Sequence, residues 1–589
     1  MILKNYKTGI GFLLSLVVAT TSCNKVLDKS NLNSYSDQQI FGNIDLATAY
    51  IDRIYDDNSP GWPSRWMNVS DETGGSSVYF DGTVDLTDVQ TDFGTGVNSG
   101  NFWGKMRAIN QAILSLKSST LSPDDRNHLI GQAYFFRAYN YFELVKLYGG
   151  VPLVLTPQNA IGDQQKQEAA LPRNKTSECF AQMVKDLDSS IANLPPSWSN
   201  DQWGRLTRGA AAALKGRILL YWASPLFNPD DLAPRWQNAF DANAEALSIL
   251  NEDGKTLNGS FENLWFQEVG NPEVVWSVGF NTSKADQLAR NASWGARPRY
   301  WGGNGSNQPA KGLVDAFPMK DGKDITDLNG KYYYSDQLFY KNRDPRFAAT
   351  IAYNGQVWKL DGNNNPGGVL WAYTANGTSV EPNATGTGFY CRKGVDPAIK
   401  QSDVPYSGTD WIEIRYAEVL LNYAEAAVGV NQPEEAIAQL VKLRRRAGIE
   451  PGDDEKFGLK SNLSRADMFT QVLHERQIEL ALEGKRFWDL KRWKLFEPNL
   501  NGTRRMGIQI SLRTDVISVA DFNAIRDGIS IDEAYEKYFS IAPKVLDSNS
   551  PINWQPNYYF FGIPTQAIQS DPLLKQTKGW EGGTFDPLL

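Results

Sequence analysis

Long helical segments with clear start and stop signals constrain this fold more than any other feature of the sequence. In the best defined segment, Ser122 can cap a helix, Pro123 occupies the first helical position, and Gly149 and Gly150 follow its last residue. Other segments repeat apolar residues every three or four positions, which also indicates helices. The predicted helices span about residues 45–56, 102–116, 122–148, 176–194, 207–224, 235–250, 411–428, 431–448, 464–484 and 486–494.

Pairs of such helices are the repeat unit of tetratricopeptide-like superhelical scaffolds. The sequence therefore predicts a mainly α fold, with a scaffold of helical pairs over about residues 40–250 and 411–496. In the second block, Asn431 is the predicted cap of one helix and Ser464 the predicted cap of the next.

Three stretches interrupt the helical pattern, at about residues 58–101, 251–410 and 497–560. The two longest are rich in Gly, Asn, Asp and aromatic residues. Long loops inside a compact protein are usually functional. We predict that these irregular, loop-rich insertions build a ligand-binding face.

The N-terminus has the plan of an export signal. Lys4 and Lys7 precede an apolar run over residues 10–19, and small and hydroxyl residues lead to Cys23. The run is too short to span a bilayer comfortably, and a cysteine placed here resembles the acylated residue of a bacterial lipoprotein. We predict a signal peptide over residues 1–22, lipidation at Cys23 and one mature domain over residues 23–589, held at the membrane only by the lipid. The alternative is a secreted protein with an incidental cysteine.

The charge and the metal-ligand content exclude several classes of function. The formal net charge is −8, which is poorly suited to nucleic-acid backbones or anionic lipid surfaces. The run Arg444 to Arg446 does not alter this, because it falls at a helix C-terminus, where cations are favoured. Three cysteines and two histidines, without CxxC or HExxH, predict neither a metal site nor a cofactor.

Six stretches, in order along the chain, match one family almost word for word. They are 137–152 (RAYNYFELVKLYGGVP), 204–217 (GRLTRGAAAALKGR), 343–347 (RDPRF), 415–426 (RYAEVLLNYAEA), 475–493 (with ERQIEL, EGKR and DLKRW) and 558–564 (YYFFGIP). With these motifs the sequence resembles the SusD/RagB family of outer-membrane nutrient-binding lipoproteins.

This resemblance implies a SusD-like fold of tetratricopeptide-like units with a loop-built ligand face. It implies a SusC-like TonB-dependent transporter as the partner, with the helical surface packed on its barrel. It also implies an outer-membrane location, lipid-anchored and facing the cell exterior. The expected function is capture of an oligo- or polysaccharide for import. Capture of a peptide for a RagB-like importer is the alternative.

One row of acids tests whether the chain could be an enzyme. Glu475, Glu479 and Glu483 lie four residues apart, so on a helix they share a face, and glycosidases work with two carboxylates. Interleaved cations (Arg476, Lys485 and Arg486) predict paired carboxylates with lowered pKa values, whereas a general acid needs a raised one. We therefore predict a structural ion-pair helix and no enzymatic activity.

Sugars offer flat C–H faces to aromatic rings and hydroxyl groups to amides and charges, so a glycan site should combine both on loops. Two clusters in the insertions fit this description, and a third, weaker one comprises Trp358, Trp371 and Tyr373. The candidate ligand-binding residues of the two main clusters are Trp62, Arg65, Trp66 and Asn68, and Trp294, Arg297, Arg299, Tyr300, Trp301 and Asn304.

Overall fold

Long helices form the scaffold of the molecule. The computed structural model describes residues 35–62, 69–75, 77–93, 102–158, 162–280, 292–381 and 384–589. Within these ranges, nine helices have 14 residues or more. They are α1 (Ile44–Asn58), α2 (Phe102–Lys117), α3 (Pro123–Tyr148), α4 (Thr176–Asn193), α5 (Arg208–Ala223), α6 (Ala233–Glu252), α7 (Tyr416–Gly429), α8 (Pro433–Ala447) and α9 (Arg465–Glu479).

Shorter helices and strands fill the intervals between the long helices. The short α-helices are Asp37–Phe41, Val78–Asp81, Leu86–Phe93, Asp163–Ala169, Ala292–Ala296, Lys311–Ala316, Pro345–Thr350, Arg486–Arg492, Phe496–Leu500, Val519–Ile525, Ile531–Glu533 and Thr565–Ser570. The strands are β1 (Val274–Val278), β2 (Ile351–Tyr353), β3 (Thr374–Ala375), β4 (Thr378–Ser379), β5 (Phe389–Cys391), β6 (Trp411–Arg415), β7 (Met506–Leu512) and β8 (Phe539–Val545).

Two of the predicted helix starts are confirmed by their capping bonds, and one is wrong. The Ser122 side chain accepts a hydrogen bond from the Asp125 backbone N–H at the start of α3. The Ser464 side chain accepts one from the Asp467 backbone N–H at the start of α9. Asn431 does not cap α8, because its backbone takes a left-handed conformation (φ 60°) and the helix begins one residue beyond Gln432.

The scaffold is built by packing consecutive helices side by side. Helix α3 packs against α4, α4 against α5, and α5 against α6. Helix α6 then packs directly on α7, so the long insertion between them leaves the row of helices unbroken. The mainly α, tetratricopeptide-like scaffold is therefore confirmed.

The segment Trp411 to Arg415, predicted as the first turn of a helix, is strand β6. It pairs antiparallel with β1, with Trp411 opposite Val278, and the helix starts only at Tyr416. Its short apolar run is compatible with either a helix or a buried strand, and it forms a strand because it can pair with β1.

The two longest insertions are less irregular than predicted, because they share a hydrophobic core and a sheet. Strand β3 of the 251–410 insertion pairs in parallel with β7 of the 497–560 insertion, within a four-stranded sheet of order β4-β3-β7-β8. Trp358, Trp371 and Tyr373, the third aromatic candidate, are buried in this core and so cannot form an exposed platform. Among the described residues, no helix combines the length and the apolar character needed to cross a membrane.

Candidate functional site

An open groove of about 1040 Å³ lies where the scaffold meets the 251–410 insertion. Its walls come from the C-terminal end of α1, the segment between α4 and α5, and the end of β1. Two of these walls lead toward the predicted ligand loops, since Trp62 follows α1 and Phe280 follows β1. A volume of this size suits a ligand of several sugar units better than a small metabolite.

Four half-buried aromatic side chains line this groove, those of Tyr55, Trp62, Trp203 and Phe280. Trp62, Trp203 and Phe280 pack on one small hydrophobic cluster that includes Trp265 and Trp411. The Trp62 ring centroid lies 4.6 Å from that of Trp411 and 5.8 Å from that of Trp265. The aromatic wall is therefore backed by rigid core rather than by mobile loop.

Asp410 fixes the position of two of these walls. Its carboxylate accepts a hydrogen bond from the Trp203 indole (3.1 Å) and one from the Phe280 amide (3.3 Å). Burial raises the pKa of Asp410, and these two donors act in the opposite direction. Asp410 therefore holds the two aromatic residues from behind the groove.

The polar side of the groove carries charges of both signs. Arg205 forms an ion pair with Asp52 (2.7 Å), and the exposed carboxylates of Asp56 and Asp201 also lie on its lining. Carboxylates and guanidinium groups can bond the hydroxyl groups that surround a sugar ring. The groove thus offers rings and hydrogen-bonding groups together.

The first predicted cluster begins in this groove. Trp62 lines it, whereas Arg65, Trp66 and Asn68 lie outside the described residues. The indole N–H of Trp62 is buried and has no protein acceptor among the described residues.

The second predicted cluster is divided between surface and core. Tyr300 is 56% exposed, Arg299 is exposed, and Trp294 is half-buried on the helix Ala292–Ala296. The Arg299 guanidinium donates to the backbone carbonyl oxygen of Asn304 (2.8 Å). The backbone N–H of Asn304 donates to the backbone carbonyl oxygen of Trp294 (2.6 Å). These bonds hold the loop in a closed turn with Tyr300 on its outside.

Two predicted contacts of this cluster, Arg297 and Trp301, are buried instead. Trp301 is 3% exposed and belongs to the second hydrophobic core. The Arg297 guanidinium donates to the carbonyl oxygens of Asp361 and Ile399, so it ties neighbouring loops together. Neither side chain can reach a ligand unless the loop rearranges, which corrects the expectation that both lie on the ligand face.

The two predicted clusters approach each other at Gly394. A Cβ atom at this position would lie 2.9 Å from the Trp62 ring and 3.7 Å from the Ala292 side chain. Gly394 also has a left-handed backbone (φ 70°), so glycine is required here for both reasons. The start of the helix that carries Trp294 therefore lies close to the aromatic wall of the groove.

Sequence reasoning missed Trp203, Arg205, Phe280 and Asp410. Trp203 follows the polar run Ser199 to Gln202 and precedes a glycine, so it meets the aromatic-among-amides criterion applied elsewhere. The role of Asp410 had no local signal, since its partners lie more than a hundred residues away in the sequence.

The predicted glutamate row is fully buried and ion-paired. Arg346 bridges Glu475 (2.7 Å) and Glu479 (2.9 Å), and Arg415 bonds Glu479 (2.6 Å) and Glu483 (2.8 Å). Burial alone would raise the pKa of each glutamate, but the surrounding cations hold all three pKa values below the usual range. The prediction of paired, ionised carboxylates is confirmed.

The partners of the row differ from those expected from sequence. Arg476 pairs with Asp489, Lys485 with Glu413, and Arg486 with Asp71. The row is paired instead by residues from other elements. Glu475 and Glu479 lie on α9, whereas Glu483 lies beyond its last residue, so the helix is shorter than the predicted 464–484.

Comparison with known proteins identifies the class. The family model described as "SusD family" matches residues 272–580, and the one described as "Starch-binding associating with outer membrane" matches residues 76–220. The chain belongs to the SusD family. SusD-like protein P2 of Formosa agariphila is 26% identical over 423 residues, which cover 68% of this chain and 73% of that protein.

Solved structures share the fold over almost the whole chain. A SusD-like protein from Bacteroides fragilis has a TM-score of 0.72 and 24% identity, covering 94% of this chain and all (100%) of that one. A SusD-like carbohydrate-binding protein from the same species has a TM-score of 0.68 and 20% identity, covering 91% and 100%. Membership of the SusD family confirms the prediction that this chain is not an enzyme.

Proposed function

We propose that the protein captures an oligo- or polysaccharide in the groove lined by Trp62, Trp203 and Phe280 and delivers it to a SusC-like TonB-dependent transporter. Cys23, outside the described residues, would be acylated and hold the chain on the outer membrane, facing the exterior. The observation that carries this proposal is an aromatic wall, backed by core, at the base of both predicted ligand loops.

The chemistry of the groove supports a sugar ligand. A half-buried indole exposes a flat face, and stacking on such a face is worth ~1–3 kcal/mol per ring, by analogy with base–aromatic contacts. Amide and carboxylate groups beside the rings can form hydrogen bonds with the hydroxyl groups of a sugar. Arg65, Trp66, Asn68, Trp294, Arg299, Tyr300 and Asn304 are proposed to extend this site along the two loops.

Replacing Trp203 with alanine is expected to weaken glycan binding about tenfold or more, because ~1.4 kcal/mol of lost stacking is a factor of ten. Trp203→Phe should keep most of the affinity, since it retains a ring. Isothermal titration calorimetry against a panel of neutral and acidic glycans and of oligopeptides measures the effect and separates the two candidate ligand classes.

Trp301→Ala is the matched control. Because Trp301 lies in the core, its loss should cost about 3–5 kcal/mol of stability, seen as a lower melting temperature. Unchanged affinity in Trp203→Ala, with glycan bound normally, would show that the ligand lies elsewhere. Binding of peptides but no glycans would favour the peptide-capture alternative.

A further inference from the structure

Helix α2 presents a stripe of exposed side chains that is interrupted at its middle, where Asn110 is buried and donates to the Val154 carbonyl oxygen. Trp103 is 40% exposed and Leu114 is 52% exposed, and the side chains of Arg107 and Lys117 are exposed between and beyond them. These four residues are four, seven and three positions apart, so they share one face of the helix. The adjoining side of the helix, which includes Met106 and Ile109, is buried in the core.

A pocket of about 240 Å³ opens beside this stripe. Leu114 and Lys117 form one side and Lys185 of α4 the other, with the Tyr134 ring between them. The Lys117 ammonium lies 6.0 Å from the centroid of that ring. The Arg137 guanidinium at the base is neutralised by Asp186 (2.6 Å), so Lys117 and Lys185 supply the net charge of the pocket.

The same face lies beside the point where the described chain begins. The Asp37 carboxylate, in the helix Asp37–Phe41, accepts a hydrogen bond from the Gln111 side chain of α2 (2.7 Å). Twelve residue steps separate Cys23 from Tyr35 (35 − 23), and a chain extends at most ~3.6 Å per residue. An acyl chain on Cys23 would therefore keep Tyr35, where the described chain begins, within about 43 Å of the membrane surface.

We propose that this anchoring face (Trp103, Arg107, Leu114, Lys117 and Lys185) docks on anionic lipid headgroups of the membrane that holds the anchor. A headgroup phosphate would sit between Lys117 and Lys185, with Trp103 and Leu114 at the interface, where amphipathic and aliphatic side chains are favoured. The proposal rests on the anchoring at Cys23 in the proposed function. Docking would orient the tethered molecule, with this face toward the membrane.

Charge makes the proposal specific. With a formal net charge of −8, the molecule as a whole is repelled by an anionic surface, so any preference for such a surface must come from a local cationic patch. The attraction of each lysine close to an anionic bilayer is expected to change partitioning about fivefold, and salt should screen it.

The test uses the mature chain (residues 23–589) with Cys23→Ala, so that neither the predicted signal peptide nor an acyl chain contributes, and vesicles of phosphatidylcholine with or without about 30% phosphatidylglycerol. We expect sedimentation with the anionic vesicles only. Lys117→Ala with Lys185→Ala should lower this binding about 25-fold, as the product of two fivefold effects. Lys537→Ala with Lys544→Ala, which replaces one exposed lysine just before β8 and one within it, is the charge-matched control and should leave it unchanged.

Equal binding to both vesicle types, or an equal loss in both double variants, would overturn the docking proposal. The anchoring itself is tested separately, by fatty-acid labelling in cells of the unmodified chain and of Cys23→Ala. Labelling that persists in Cys23→Ala, or is absent from both, would contradict the anchoring whatever the vesicles show.

Discussion

Replacing Arg415 with methionine is expected to destabilise the protein by at least about 3–5 kcal/mol, because it removes one member of a buried ion network and leaves its carboxylates without their main partner. Arg415 is 1% exposed and bonds Glu273 (2.8 Å), Glu479 (2.6 Å) and Glu483 (2.8 Å). Denaturant unfolding followed by circular dichroism measures the loss, and a chain that no longer folds agrees with it.

Arg53→Met is the control for this substitution. Arg53 also pairs with a carboxylate, that of Asp57 (3.4 Å), but 79% of its side chain and 31% of the Asp57 side chain are exposed to solvent. Such a pair is worth at most about 1 kcal/mol. If Arg415→Met were as stable as Arg53→Met, the network would not hold the structure together.

The network explains why two distant parts of the sequence act together. Glu273, Arg346 and Lys393 come from the 251–410 insertion. Arg415, Arg446 and the three glutamates come from the scaffold. The groove lies between these same two parts. The network therefore fixes the insertion on the scaffold, and with it the spacing of the groove walls.

Helices could be predicted well because their signals are local. Ser122, Pro123 and the two glycines after Tyr148 mark α3 on their own, and the structure agrees to the residue. Strand β6 could not be predicted, because only its partner β1 distinguishes it from a helical turn. The same holds for β3 and β7, which lie on different insertions and pair across the fold.

The sequence could predict a region for the ligand face, but not which side chains of that region are exposed. Tyr300 and Trp301 are neighbours with the same chemistry, yet one is exposed and the other is core. In a loop without a regular period, no pattern tells which side chain points inward. Trp203 was overlooked for a related reason, since it lies beside a family motif and between helices rather than in a long insertion.

Glu72, which follows the first predicted aromatic cluster in the sequence, is a buried acid that connects its segment to residues after α9. Glu72 is 1% exposed, and its carboxyl group accepts a hydrogen bond from the Leu482 amide (3.0 Å). The other carboxyl oxygen is buried with no protein partner among the described residues. Burial raises the pKa of Glu72 to about 8, Asp71 adds to the rise, and Leu482, Arg486 and Lys393 oppose it. Glu72 is therefore protonated at neutral pH.

Glu72→Gln is expected to stabilise the protein at alkaline pH and to leave it nearly unchanged at pH 5. The folded state keeps the proton up to about pH 8, whereas the unfolded chain releases it near pH 4.5, so the stability of the native protein falls as the pH rises between these values. Glutamine has no proton to lose and should remove that slope, giving a gain on the order of a few kcal/mol at pH 8.5. Urea unfolding from pH 5 to 9 measures it. The same change at Glu475, whose pKa is lowered by Arg346 and Arg444 against the effect of burial, should instead destabilise the protein at neutral pH. Parallel stability curves for the native protein and Glu72→Gln across this range would mean that Glu72 is ionised in the folded state, with a partner for its charge.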